Sequence, residues 1–332
     1  VSVAHVPVLL NEAIDLLAPR PGGVYVDGTL GGGGHAWEIL RRSSPDGRLL
    51  GLDLDPEALV RVRERLAAFG SRVVLVHDSF AHLERVARWE GFVPADGVLL
   101  DLGLSSYQLG SIERGFGFST PAPLDMRFDT TSETATARDL VAKLSAEQLT
   151  DLLRRYGEEP RARQIAQAIV RTRARHPIET TTDLAGVVES VVHRSGKTHP
   201  ATRTFQAIRI AVNRELESLE EALPAAIEIL GPGGRLAIIS FHSLEDRIVK
   251  HFFRSLAFPC TCPPGLPYCV CGKKATVQLL TRGGIRPSPE EVASNPRSRS
   301  ATLRAVEKLP AEFDSAEPPT DQPDDAARTR RE

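Results

Sequence analysis

Short apolar runs that stop at an acid or a glycine punctuate the first hundred residues. Val24, Tyr25 and Val26 lead into Asp27 and a glycine cluster at Gly28, Gly31, Gly32, Gly33 and Gly34. A helical stretch over 36–42 follows. Leu49, Leu50, Gly51 and Leu52 then run into Asp53, and Pro56 suits the first turn of a helix with Leu59, Val62 and Leu66 on one face. Residues 73–76 and 97–100 repeat the strand pattern. Strand, glycine loop, helix, strand in this order predicts an α/β fold with a parallel, doubly wound sheet.

From about Gly110 to His199 the periodicity becomes helical only. Ser145 with Gln148 forms a capping box ahead of Leu149, Leu152, Leu153 and Tyr156. Pro160 starts a second helix, and Leu184, Val187, Val188, Val191 and Val192 mark a third. Alternation then resumes with one long helix from about Ala201 to Leu230, a Gly-Pro-Gly-Gly stop at 231–234, and a strand over 235–240. The expected organisation is a doubly wound α/β domain in two parts, 1–109 and 200–309. A helical insertion at 110–199 interrupts it, and an acidic, disordered tail over 310–332 follows it. No internal repeat is apparent.

Composition narrows the class. The chain has 332 residues, 41% hydrophobic and 25% charged, which excludes wholesale disorder. No apolar run approaches the ~18 residues of a membrane span and no charged-then-apolar leader opens the chain, so a soluble cytoplasmic protein is expected. The net charge of −2 hides a segregation. Residues 310–332 carry −4, whereas 154–214 hold twelve basic against five acidic residues. Such an excess is the footprint of a polyanion partner, or the solvated helix faces of an arginine-rich chain. Cys260, Cys262, Cys269 and Cys271 lie within twelve residues. Four thiolates could close a structural zinc site, although Cys-x-Cys is tighter than the usual knuckle; a disulfide pair and incidental thiols are the alternatives.

The glycine loop lets the backbone approach a ligand at the carboxyl edge of the sheet. Asp53, closing the second strand, is placed to accept from ribose hydroxyls. Both features suit nicotinamide and S-adenosylmethionine alike. Asp27 favours the latter, because an anion fits poorly beside a pyrophosphate but well beside an ammonium and a sulfonium. The strand ends at Asp78, Ser79 and Phe80, and at Asp101, Leu102 and Gly103, would then meet the adenine and the methyl acceptor.

Several longer strings carry a resemblance that no glycine motif could. They are His5-Val6-Pro7-Val8-Leu9, Asp27-Gly28-Thr29 with Gly33-Gly34-His35, and Leu99-Leu100-Asp101-Leu102-Gly103 with Ser105, Ser106, Gln108 and Leu109. Arg114-Gly115-Phe116, Leu124-Asp125-Met126-Arg127, the string 199–206 and the string 240–247 continue in order. Together they resemble the bacterial small-subunit ribosomal RNA cytosine-N4 methyltransferases, the RsmH/MraW family, from about His5 to Val306. The resemblance implies a Rossmann-like S-adenosylmethionine-dependent methyltransferase domain with an inserted helical domain. It implies N4-methylation of one cytidine in the decoding centre of 16S rRNA, within the small ribosomal subunit. Carried over by position, the cofactor contacts are Gly33, Gly34, His35, Asp53, Phe80, Asp101 and Gln108. Self-association into a homodimer is left open.

A cytosine amine is a weak nucleophile because its lone pair is delocalised, so acceptors for its hydrogens and in-line placement against the methyl are what a catalyst must supply. Many amino-methyltransferases use an Asn/Asp-Pro-Pro-aromatic string after strand four; this chain has Asp101-Leu102-Gly103-Leu104-Ser105-Ser106-Tyr107. Asp101 is the first catalytic candidate, with Ser105 and Ser106 behind it. Asp125 and Arg127 could face RNA or pair with each other. His242 and Glu245 could serve the site or belong to a helix cap at Ser243, and Phe80 and Tyr107 could stack on a base or lie in the core. Two rival readings are a nicotinamide-dependent oxidoreductase and a non-catalytic RNA-binding assembly factor.

Overall fold

The computed structural model describes residues 7–192, 199–263, 268 and 270–311. Of the tail expected over 310–332, residues 312–332 lie outside the described residues, as do His5, Val6 and Cys269. Helix α1 (Leu10–Leu17) precedes strand β1 (Val24–Asp27) and helix α2 (Gly34–Arg42). Then come β2 (Arg48–Asp53), α3 (Pro56–Arg65), β3 (Val73–His77), α4 (Leu83–Trp89) and β4 (Ala95–Asp101). Asp55 caps α3, accepting from the Glu57 N–H with Pro56 behind it in the first turn.

Alternation along each strand builds two apolar layers. Val26, Leu50, Val98 and Leu100 face one side of the sheet, against Leu83 and Val86 of α4. Tyr25, Leu49 and Leu99 face the other, against Ile14, Ile39, Leu40 and Val62. The helical part follows β4: α5 (Ser106–Gly110), α6 (Ala137–Lys143), α7 (Ala146–Gly157), α8 (Ala162–Arg173), α9 (Thr181–Glu189) and α10 (Thr202–Asn213). The Ser145–Gln148 capping box is present at the start of α7. Apolar residues of these helices form a core of their own, including Leu153, Ile165, Ile169, Leu184 and Val188. Phe205, Ile208 and Val212 of α10 join it, so this packing continues past residue 199.

The chain then returns to the sheet through α11 (Glu215–Ile229), β5 (Leu230–Ser240) and α12 (Ser243–Ala257). Strand β6 (Val277–Leu279), helix α13 (Pro289–Ser294) and strand β7 (Thr302–Lys308) complete it. The single long helix expected from Ala201 to Leu230 is two helices. Arg214 breaks it with a left-handed backbone, φ 50°. The break is held from outside: Asn213 accepts from the Phe128 N–H at 2.7 Å and donates to the Met126 carbonyl at 2.8 Å. The Gly-Pro-Gly-Gly segment is the start of β5 rather than a stop before it, with an irregular register opposite Ala95 and Gly97.

The seven strands run in the order β3-β2-β1-β4-β5-β7-β6. Strands β1 to β5 pair in parallel, and β7 is antiparallel to both β5 and β6. The order reverses between β1 and β4, and the carboxyl ends of those strands open the crevice in which α/β sheets bind ligands. No helix among the described residues is long and apolar enough to cross a membrane.

Candidate functional site

A cleft lies at that crevice, lined from the loop after β1, the ends of β2 and β4, α5 and the start of α12. Gly34, His35, Asp53, Phe80, Asp101 and Gln108 all line it. Gly33 does not; it caps α2 at φ 71°, a conformation that a side chain would strain. Gly34 is required by crowding, since a Cβ there would stand 2.2 Å from Pro7 Cγ.

Each predicted residue has a specific set of partners. Asp53 accepts from the N–H groups of Gly31 and Asp55, both at 2.8 Å, which ties the glycine loop to the end of β2. Burial, with the charge of Asp55 adding to it, raises its pKa to about 6. Gln108 completes a capping box with Ser105 on α5 and donates to Asp55 at 3.2 Å. Ser105 is therefore spoken for as a helix cap. His35 is buried behind the loop, its Nε2 3.1 Å from the Val8 carbonyl and its Nδ1 3.6 Å from Asp101.

Acids dominate this cleft. Asp101, Asp53, Glu215 and Glu245 line it. Asp27, 1% exposed, lies beside them at the end of β1. Burial raises the Asp27 pKa to about 7, with Asp53 adding to it. Burial also lifts Asp101 well above the carboxylate range, helped by the charges of Asp27 and Glu245. Asp27 Oδ2 and Asp101 Oδ1 are buried without a hydrogen-bond partner. A pair of desolvated, unsatisfied acceptors costs stability unless a cationic or donor-rich ligand arrives. Glu215 is different, because Arg209 holds both its oxygens at 2.8 and 2.9 Å. So is Glu245: burial alone would raise its pKa, but His242 and the Phe241 N–H hold it low.

Other candidates resolve structurally. His242 itself, not Ser243, caps α12 in a capping box with Glu245. Ser243 and Arg247 instead bond Glu158, where α7 ends, at 2.9 Å each. Asp125 and Arg127 pair with each other through two bonds of 2.8 Å. Tyr107 lies outside the cleft lining, with the Arg61 guanidinium 4.4 Å over its ring. Asp78 also stays outside and pairs with His82 and Arg85.

Glu215, Phe241, Asn295 and Arg297 line the cleft without having been anticipated. Only the Phe241 position lay within a marked string. Of the basic segment, Arg173 donates to the Val141 carbonyl, Arg161 to Val191 and Arg203 to Glu158, whereas Arg171 and Arg175 are exposed.

The profile of the MraW methylase family matches residues 2–309. A ribosomal RNA small subunit methyltransferase H of Symbiobacterium thermophilum is 56% identical over 92% of this chain and 97% of its own. The protein of the same name from Thermomicrobium roseum is 54% identical over 93% of this chain and 94% of its own. A solved rRNA methylase from Streptococcus thermophilus is 12% identical over 91% of this chain and 94% of its own, with a TM-score of 0.41.

Proposed function

This chain belongs to the MraW methylase family and is a methyltransferase, and we propose that it methylates the N4 amine of a decoding-centre cytidine in 16S rRNA. The relatives' name, small-subunit rRNA methyltransferase, supports the rRNA substrate. S-adenosylmethionine supplies an electrophilic methyl group on a sulfonium. The acid-lined cleft fits that doubly cationic donor: Asp27 and Asp101 offer unsatisfied buried oxygens to positive charge. Asp53 closes β2 where ribose hydroxyls would donate to it, and Phe80 flanks the adenine position. Gly33, Gly34 and His35 shape the loop beneath, and Gln108 fixes α5 against it. Arg297, exposed at the cleft, is the positive group available to a carboxylate or phosphate.

One observation carries the assignment of the amine acceptor. Among the four carboxylates lining the cleft, Asp53 and Glu215 have both oxygens engaged by N–H donors, and Glu245 accepts from the Phe241 N–H and lies 3.2 Å from His242. Asp101 Oδ1 has no hydrogen-bond partner. Asp101 therefore accepts a hydrogen from the cytosine amine, restores lone-pair density on nitrogen, and stabilises the positive charge that develops there. With S-adenosylmethionine bound, its sulfonium would supply the methyl carbon and take the carbon–sulfur pair as the amine nitrogen's pair forms the new bond, and Asp101 would receive the surplus amine proton. The exposed arginines of α8 and the turn after it lie on a face open to RNA phosphates, and no membrane role enters this reading. A cytoplasmic location follows from the substrate.

Incubation with tritiated S-adenosylmethionine and small subunits lacking the modification tests the function. Label in 16S rRNA supports it. Absence of label, or tight NADH binding in place of S-adenosylmethionine, would sink it.

A further inference from the structure

We propose that Cys260, Cys262 and Cys271 form a structural zinc site that ties the loop between α12 and β6. Their sulfurs lie within 4.8 Å of one another. Tetrahedral zinc holds thiolates at about 2.3 Å, which sets neighbouring sulfurs about 3.8 Å apart, so only a small contraction is needed. The Val270 N–H also points at Cys262 Sγ, 3.3 Å away. A hydrogen bond donated to sulfur favours the thiolate, the form that binds metal. A set of sulfur donors without carboxylates or carbonyls selects zinc over magnesium or calcium.

The loop supplies an independent reason. It spans residues 258–276, and none of its described residues is in a helix or strand. Loops of this length need something to order them. Among its described residues Tyr268 is 75% and Val270 70% exposed, so these side chains do not order it by burial. A bond from the Thr276 N–H to the Leu256 carbonyl at 3.1 Å closes the base, and Gly272 turns the chain at φ 64° directly after Cys271. A metal held by the three sulfurs would add a further tie to these two. Cys269 lies outside the described residues, and the proposal rests on the other three.

The site stands apart from the chemistry. Helix α12 has fifteen residues and is capped at the cleft by His242. At 1.5 Å per residue it carries the chain about 22 Å before the cysteine loop begins. The ion would hold the loop and take no part in methyl transfer.

The full-length protein, purified without chelators, should contain stoichiometric zinc by elemental analysis. Metal-stripped, reduced protein titrated with cobalt(II) should develop sulfur-to-metal charge-transfer absorption. The Cys260→Ser/Cys262→Ser variant should lose both signals and be cut within 258–276 about tenfold faster by protease, because the loop opens locally. Its affinity for S-adenosylmethionine should be unchanged. Wild-type protein that is reduced and folded, yet holds no zinc and gives no charge-transfer band with excess cobalt, overturns the proposal. The wild-type spectrum decides even if the variant fails to fold.

Discussion

His35 Nδ1 lies 3.6 Å from Asp101 Oδ2, while its Nε2 lies 3.1 Å from the Val8 carbonyl. A carbonyl only accepts, so Nε2 carries a hydrogen, and a neutral ring then turns its Nδ1 lone pair toward Asp101. Burial, with the charges of Asp27 and Glu245 adding to it, raises the Asp101 pKa and so favours a proton at this contact in the ligand-free protein.

Binding of S-adenosylmethionine should therefore release protons. Its positive charges favour the ionised forms of Asp101, Asp27 and Asp53, whose pKa values are all raised by burial. Raising the pH ionises these groups in the free protein, so affinity should climb from about pH 5 to about pH 8. Calorimetry in two buffers of different ionisation enthalpy checks this, and identical heats near neutrality would exclude the linkage. Asp53→Ala should weaken binding by about 1.5–3 kcal/mol, the range of a charge-assisted hydrogen bond.

Asp27 also bears on stability. Its folded pKa, about 7, lies above the ordinary value of about 4, so the native state binds this proton more tightly than the unfolded chain does. Stability from this group is full below about pH 4 and is lost as pH rises through about 7. Asp27→Asn should then stabilise the ligand-free protein at pH 8 by up to a few kcal/mol, of the order the shift implies, and add little at pH 4. Urea unfolding at the two pH values measures the difference. Equal effects would mean the charge is not what burial opposes.

The arginines of the helical part should divide into two kinds. Arg171→Gln with Arg175→Gln should weaken RNA binding and lower its salt slope by about two units, roughly 0.9 per lost phosphate contact. Arg173→Gln should instead cost stability, because Arg173 donates to the Val141 carbonyl. An unchanged slope in the double variant would leave Arg171 and Arg175 as merely solvated.

The sheet was legible because buried parallel strands read as continuous apolar runs, and the glycine loop and strand-end acids fall at its carboxyl edge. The break at Arg214 was not, because Asn213 makes it by reaching the loop at 126–128, 85 residues away for its Phe128 bond. Strand β7 was missed for a related reason. It is paired on both sides yet carries Arg304 and Glu307, charges met by Asp246 of α12 and by Arg235 opposite it on β5. In the site, Asp53 and Asp101 could be read from their strand ends. The saturation of Glu215 by Arg209, and with it the singling out of Asp101, depends on side-chain partners that periodicity does not encode.

The central claim is that Asp101 activates a cytosine amine for methyl transfer. Single-turnover transfer from labelled S-adenosylmethionine to hypomethylated small subunits, followed by nucleoside analysis, tests it most directly. The wild type should place its label in N4-methylcytidine. At saturating cofactor and RNA, Asp101→Asn should transfer about 10²–10³ times more slowly, as for loss of one preorganised contact. Label at a ring carbon, or full recovery of the variant's rate at saturation, would contradict it.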